Sequence, residues 1–250
     1  MNNAAVAYEK LRKFESAGRA YERIVNEYSE SAFVEKALFN LARSHEKIFE
    51  YEKAIKTYSR LYKEFPGSVD RSRYLDNAAY LFEKTGQYRK AATRYEEYAR
   101  TFPNRDDTSE TYMRAINMYE RLKDDGNLAR VYRLFVSRYL NDPVQNTSIL
   151  ESLLGQARIL KKKKRTRQAK ALYQRVISEF NARGLEAGSP DSRFPAEAAF
   201  ELVEYDFQPY ETLQIPARFK NQERVINKLK KDRVALKRRY QEIIEYRFID

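Results

Sequence analysis

The side chains that most often perform covalent or metal chemistry are scarce in this sequence. Its 250 residues hold one histidine, His45, and no cysteine. The absence of cysteine excludes disulfides, thiolate metal sites and a cysteine nucleophile, and a lone histidine argues against zinc. Glu96 and Glu97 are adjacent, so on a helix they point apart. Asp106 and Asp107 fall in a loop, whereas paired catalytic acids need shifted pKa values inside a closed cleft. No Gly-rich phosphate loop, G-x-S-x-G or H-E-x-x-H occurs. The expectation is a chain without catalysis, metal or cofactor.

The chemistry left to it is charge attraction. Forty-eight Lys and Arg against 36 Asp and Glu give a net charge of +12. One cluster is Lys161 to Lys164 with Arg165 and Arg167. A second is Lys228, Lys230, Lys231, Arg233, Lys237, Arg238 and Arg239. Such clusters can meet phosphates, anionic lipid or an acidic protein, or serve only as solvated helix faces. Nucleic-acid binding gains from aromatics interleaved on the same face. Only Tyr240 and Tyr246 offer them, and no base-reading motif is present.

The elements that must position these charges are helices. In residues 37–66 Leu38, Leu41, Ala42 and His45 recur at helical spacing, leaving Lys36, Arg43, Glu46 and Lys47 for the other side. This is helix A. Tyr51, Ala54, Ile55, Tyr58, Leu61, Tyr62 and Phe65 form a second stripe, stopped by Pro66 and Gly67. This is helix B. Aligned on the mid-helix aromatic, the pattern returns at Tyr21, Tyr58, Tyr95, Tyr132 and Tyr173, with spacings of 37, 37, 37 and 41 residues. A small or apolar residue stands four positions earlier (Ala17, Ala54, Ala91, Leu128, Ala169) and an aromatic seven later (Tyr28, Phe65, Phe102, Tyr139, Phe180). Neither helix could bury its stripe alone, so the pair makes physical sense as one of a stack.

These residues resemble the tetratricopeptide repeats. Leu38, Leu41, Ala42, His45, Ala54, Tyr58 and Pro66 fill the family pattern in the second repeat, with His45 at a helix A core-aromatic position. Leu75, Ala78, Ala79, Phe82, Gly86, Ala91, Tyr95 and Pro103 fill it in the third. The resemblance runs from about Ala4 to Phe180. It departs in its period, 37 against the family's usual ~34, and in Gln156, where leucine is usual. Longer repeats closing on an aromatic, Pro and Ser, as in EFPGS, look most like bacterial envelope members of the family.

The resemblance implies an all-α, right-handed superhelical solenoid of antiparallel helix pairs, five to six repeats long, with a long C-terminal helix. It also implies a concave groove lined by helix A. The groove positions carry over to Phe39, Arg43 and Lys47, then Asp76, Tyr80 and Lys84, then Met113, Asn117 and Arg121, then Leu154, Arg158 and Lys162. A groove so lined is basic and partly aromatic, and favours an acidic protein segment.

One elongated domain is therefore expected: a repeat array over 1–180, an exposed loop over 181–195, a degenerate last repeat over 196–217 that Pro209 and Pro216 interrupt, and a basic helix over 218–250. Turns between helices A and B are placed at Phe14 to Ser16, Thr85 to Gln87, Asp124 to Gly126 and Lys164 to Thr166. In the last helix Ile226, Leu229, Leu236, Tyr240 and Ile243 keep a 3,4 spacing that Arg233 breaks. That pattern suits a cap on the stack or, alternatively, a short self-associating coiled coil. The functional expectation is a non-catalytic protein-interaction scaffold within a larger bacterial assembly. The alternatives are nucleic-acid or anionic-surface binding through the basic helix, and a purely architectural spacer. No apolar run spans a membrane and no signal peptide is seen. Helix A of the first repeat opens without its first turn, which suggests a fragment of a longer parent, periplasmic or envelope-associated if exported and cytoplasmic otherwise.

Overall fold

The computed structural model describes residues 2–215 and 219–247. The expected boundary at 217/218, with Pro216, lies outside them. The described residues form α1 (Asn2–Lys10), α2 (Phe14–Glu27), α3 (Val34–Lys47), α4 (Tyr51–Glu64), α5 (Arg71–Lys84), α6 (Tyr88–Thr101), α7 (Thr108–Arg121), α8 (Asp125–Tyr139), α9 (Asn146–Lys162), α10 (Thr166–Ala182), α11 (Arg193–Glu211) and α12 (Phe219–Ile244). Two 3₁₀ turns, Pro143–Gln145 and Pro190–Ser192, complete the list, and the fold is an all-α helical-repeat solenoid. It divides into two compact units, Met1–Leu128 and Ala129–Asp250.

In Met1–Leu128 each helix from α1 to α6 packs on the next. Ala17, Ala54 and Ala91 are fully buried, and with no side chain beyond Cβ they let helices B approach closely. Tyr21, Tyr58 and Tyr95, one turn on, fill the space between layers. Their hydroxyls do not reach solvent but cross to helix A of the same repeat. Tyr21 donates to Glu9 at 3.1 Å, Tyr58 to Glu46 at 3.3 Å and Tyr95 to Glu83 at 2.7 Å. Burial and the facing carboxylate together push the Tyr21 hydroxyl up to about 12, and those of Tyr58 and Tyr95 higher still.

The A–B turns share one geometry. Arg12, Phe49, Gly86, Lys123 and Lys164 all have positive φ, between 53° and 75°. At each, two backbone bonds close the preceding helix, as when Phe49 N donates to Glu46 O and Glu50 N to His45 O. This is a Schellman cap, whose left-handed position favours glycine. Only one of the five carries it. Consequently the first turn is Leu11 to Lys13 rather than Phe14 to Ser16, and the fourth is Leu122 to Asp124. Asp125 and Gly126, expected in that turn, open α8.

In Ala129–Asp250 the helices α9 to α12 also stack in order. The stretch expected as a loop, 181–195, contains the end of α10, the 3₁₀ turn and the start of α11, with Phe194 and Pro195 buried. Pro209 does not interrupt α11 but sits inside its last turns, where a missing N–H leaves a single bond unmade. The inner face of α12 covers α11. Leu236 is buried, Tyr240 donates to Glu204 at 2.6 Å, Arg239 pairs with Asp206, and Tyr246 O accepts from Gly188 N at 2.9 Å.

Candidate functional site

Nine of the twelve helix A residues expected to line the groove fall on three helices of Met1–Leu128, α3, α5 and α7. α3 and α5 are joined by Tyr74, which donates to Glu35 at 2.7 Å, and by Arg73 stacked 4.6 Å over the Phe39 ring. α5 and α7 are joined by Arg114, 3.0 Å from Asp76 and 4.3 Å over the Tyr95 ring. The i, i+4, i+8 spacing sets Phe39, Arg43 and Lys47 on one face of α3, Asp76, Tyr80 and Lys84 on one face of α5, and Met113, Asn117 and Arg121 on one face of α7.

Exposure runs along this face in a consistent order. Phe39, Asp76 and Met113 are half-buried, whereas Arg43, Lys47, Tyr80, Lys84, Asn117 and Arg121 are exposed. Apolar and ion-paired groups thus sit near the middle of each helix A, and Lys47, Lys84 and Arg121 close it at the C-terminal end, where the helix dipole favours cations.

Two of the cations meet rings rather than acids. Lys84 lies 4.7 Å over the Tyr51 ring and 6.0 Å from that of Tyr80, and Arg121 lies 5.5 Å over Tyr88. Tyr51 and Tyr88 open the preceding helix B, so each cation spans two repeats. A cation–π contact leaves the charge in place. Arg43 and Lys47 form no ion pair among the described residues. The carboxylates of α3 and α5 are engaged elsewhere: Glu35 accepts from Tyr74, Glu46 and Glu83 accept the helix B tyrosine hydroxyls, and Asp76 holds Arg114. Burial raises the Asp76 carboxyl above its ordinary range even with Arg114 beside it.

In Ala129–Asp250 the expected groove residues have other roles. Leu154 is 2% exposed and belongs to the core of α9, because both Leu153 and Leu154 are covered there. Arg158 is held by Glu197 through Nε at 2.6 Å and a second contact from Nη2. Lys162 is exposed. Lys161, of the first basic cluster, binds Glu201 at 2.5 Å.

His45 is half-buried at the end of α3, its Nδ1 2.8 Å from Glu50, which also holds Lys53 at 2.7 Å. Those two bonds lower the Glu50 carboxyl, that from Lys53 most. The histidine therefore fastens a turn. Among the described residues no group of three or more His, Cys, Asp or Glu could hold a metal ion, and no helix is long and apolar enough to cross a membrane.

The Tyr–Glu pairs and the stacked cations were missed by pattern reading. A constant offset of twelve residues between Glu9, Glu46, Glu83 and their tyrosines was the available signal.

A family model described as tetratricopeptide repeat matches residues 3–31, 36–68, 74–105 and 151–180. No curated protein matches the sequence. Among solved structures the chain is similar to BtubC (BKLC) from P. vanneervenii, at 14% identity over 90% of this chain and 91% of that one, with a TM-score of 0.44. It is also similar to MamA 41-end from Desulfovibrio magneticus RS-1, at 13% identity over 72% and 93%, TM-score 0.41. The TPR-like repeats assigned to a kinesin light chain of Podosopora anserina give 14% identity over 71% and 92%, TM-score 0.42.

Proposed function

Because the chain belongs to the tetratricopeptide-repeat family, whose fold is generally a protein-interaction scaffold, we propose that it is a non-catalytic scaffold. In this reading an acidic protein segment lies along the helix A face of Met1–Leu128. The observation that carries it is that Arg43, Lys47, Lys84 and Arg121 keep their charge. Two stack on rings, two have no ion pair among the described residues, and the nearby acids Glu46 and Glu83 accept hydrogen bonds from buried tyrosines. An incoming carboxylate thus meets cations without first displacing an internal acid. Phe39, Tyr80 and Met113 add apolar contact beside them.

The attraction is local. Met1–Leu128 holds 23 Lys and Arg against 21 Asp and Glu, a net +2, whereas Ala129–Asp250 holds 25 against 15, a net +10. Binding at the helix A face should therefore follow the named cations rather than overall charge.

The test is fluorescence anisotropy of a labelled glutamate-rich peptide with the full chain and with a Lys47→Glu, Lys84→Glu, Arg121→Glu variant, its helicity checked by circular dichroism. Binding by the wild type that is lost in the folded variant supports the reading. Equal binding by both overturns it.

A further inference from the structure

The C-terminal helix has two faces with different roles. Its inner face covers α11 through Leu236, Tyr240 and Arg239, as described above, while its outer face has no partner among the described residues. At the centre of that outer face stands Val234, 67% exposed. Lys230 and Lys231 lie four and three residues before it, and Lys237 and Arg238 three and four after it. On a helix these are its four surface neighbours. All four cations are exposed. Arg238 shares its charge with Glu242, at 3.1 Å, and Lys230, Lys231 and Lys237 have no acidic partner among the described residues. The one acid within 224–241, Asp232, is half-buried and lines the cleft with Asp206 on the inner side.

We propose that this outer face of α12 is a docking surface for an anionic lipid bilayer. A ring of ammonium and guanidinium groups around one exposed aliphatic side chain matches a headgroup layer. The cations meet phosphate and carboxylate headgroups while their methylene stems and Val234 enter the apolar margin. A nucleic-acid strand is the poorer match, because it would draw on rings for stacking and the two described here, Tyr240 and Tyr246, are turned inward. Tyr240 is bonded to Glu204 and lies against Phe200, and Tyr246 packs edge-on to Phe180. The helix stays on the protein, so the surface adds charge-driven adhesion without insertion.

The test uses the full chain in co-sedimentation with phosphatidylcholine vesicles, with and without phosphatidylserine. Expected is partitioning onto the serine-lipid vesicles only, falling with added salt. A Lys230→Ala, Lys231→Ala, Lys237→Ala variant should partition roughly a hundredfold less, at about a kilocalorie per mole for each cation near the surface. Since all three side chains point to solvent, its helicity and melting should match the wild type. A Val234→Gln variant, unchanged in charge, should lose a few-fold. The charge reversals at Lys47, Lys84 and Arg121 should leave vesicle binding intact, which separates this surface from the helix A face. No partitioning onto anionic vesicles, equal partitioning onto neutral ones, or an unchanged triple variant overturns the proposal. So does binding of polyuridylate that the triple variant loses while vesicles are ignored by the wild type.

Discussion

Tyr95 and Glu83 are joined by a 2.7 Å hydrogen bond from helix B to helix A of one repeat. The same pair, twelve residues apart, recurs as Tyr58 with Glu46 and Tyr21 with Glu9. In the fifth repeat the position twelve residues before Tyr173 is Lys161, which turns to Glu201. The Tyr173 hydroxyl is left buried with no hydrogen-bond partner among the described residues.

This difference predicts opposite outcomes for one substitution. Tyr95→Phe should cost about 1–2 kcal/mol, since it leaves a part-buried carboxylate short of a donor. Tyr173→Phe should be neutral or stabilising by up to ~1 kcal/mol, because it removes a polar group that is already unpaired. Urea unfolding of the two variants beside the wild type measures both, and an equal loss would refute the account.

The A–B turns offer a second pair. Lys123→Gly should stabilise by roughly 0.5–1 kcal/mol, because glycine adopts the φ of 53° without the Cβ clash. Gly86→Ala, at φ 75°, should destabilise by about 1 kcal/mol. Thermal midpoints that shift in the same direction for both would contradict a shared left-handed turn.

Gly155 lies inside α9, where alanine would ordinarily favour a helix by ~1 kcal/mol. Here an added Cβ would fall 2.5 Å from the Tyr132 ring. Gly155→Ala should therefore lower stability by about 1–3 kcal/mol through overpacking. A Gly155→Ala, Tyr132→Leu double variant should recover part of that loss, and a single variant more stable than wild type would rule out the contact.

Asp124 caps α8, its carboxylate accepting from the Asn127 side chain at 2.9 Å, the Asn127 N–H at 3.1 Å and Arg89 at 2.8 Å. Together these hold the carboxyl down at about 2, the Asn127 bonds contributing most. A lowered folded-state pKa stabilises above the unfolded carboxylate's value of about 4, and that stabilisation is lost as pH falls through about 2. Asp124→Ala should cost ~1 kcal/mol at neutral pH, and its gap from the wild type should narrow from pH 4 to pH 2. A gap that stays constant over this window would show that the charge contributes nothing.

Helix count, repeat register and the buried Ala and Tyr positions were legible because a 3.6-residue period records burial directly. Three other features were not. Pattern places turns at glycine, yet Arg12, Phe49, Lys123 and Lys164 occupy left-handed positions, and Gly126 is inside a helix. Carrying family positions forward made Leu154 a groove residue, but the fifth helix A is covered on more sides than its predecessors. The fate of each charge depends on which ring or acid stands across the repeat, and that is fixed by packing in three dimensions. Lys84 over Tyr51 and Arg158 on Glu197 hold equivalent expectations and have different surroundings.

The order of packing has a kinetic consequence. Within each unit a helix meets chiefly the one before and the one after it in the chain, so few contacts require distant segments to find each other. Short loop closures are entropically cheap, and chains rich in local contacts fold in microseconds to milliseconds. The same locality limits how far damage spreads, because a lesion in α1 reaches α7 chiefly through six successive helix interfaces. Hydrogen exchange should accordingly be graded along Met1–Leu128, fastest at α1 and slowing inward, rather than uniform across it.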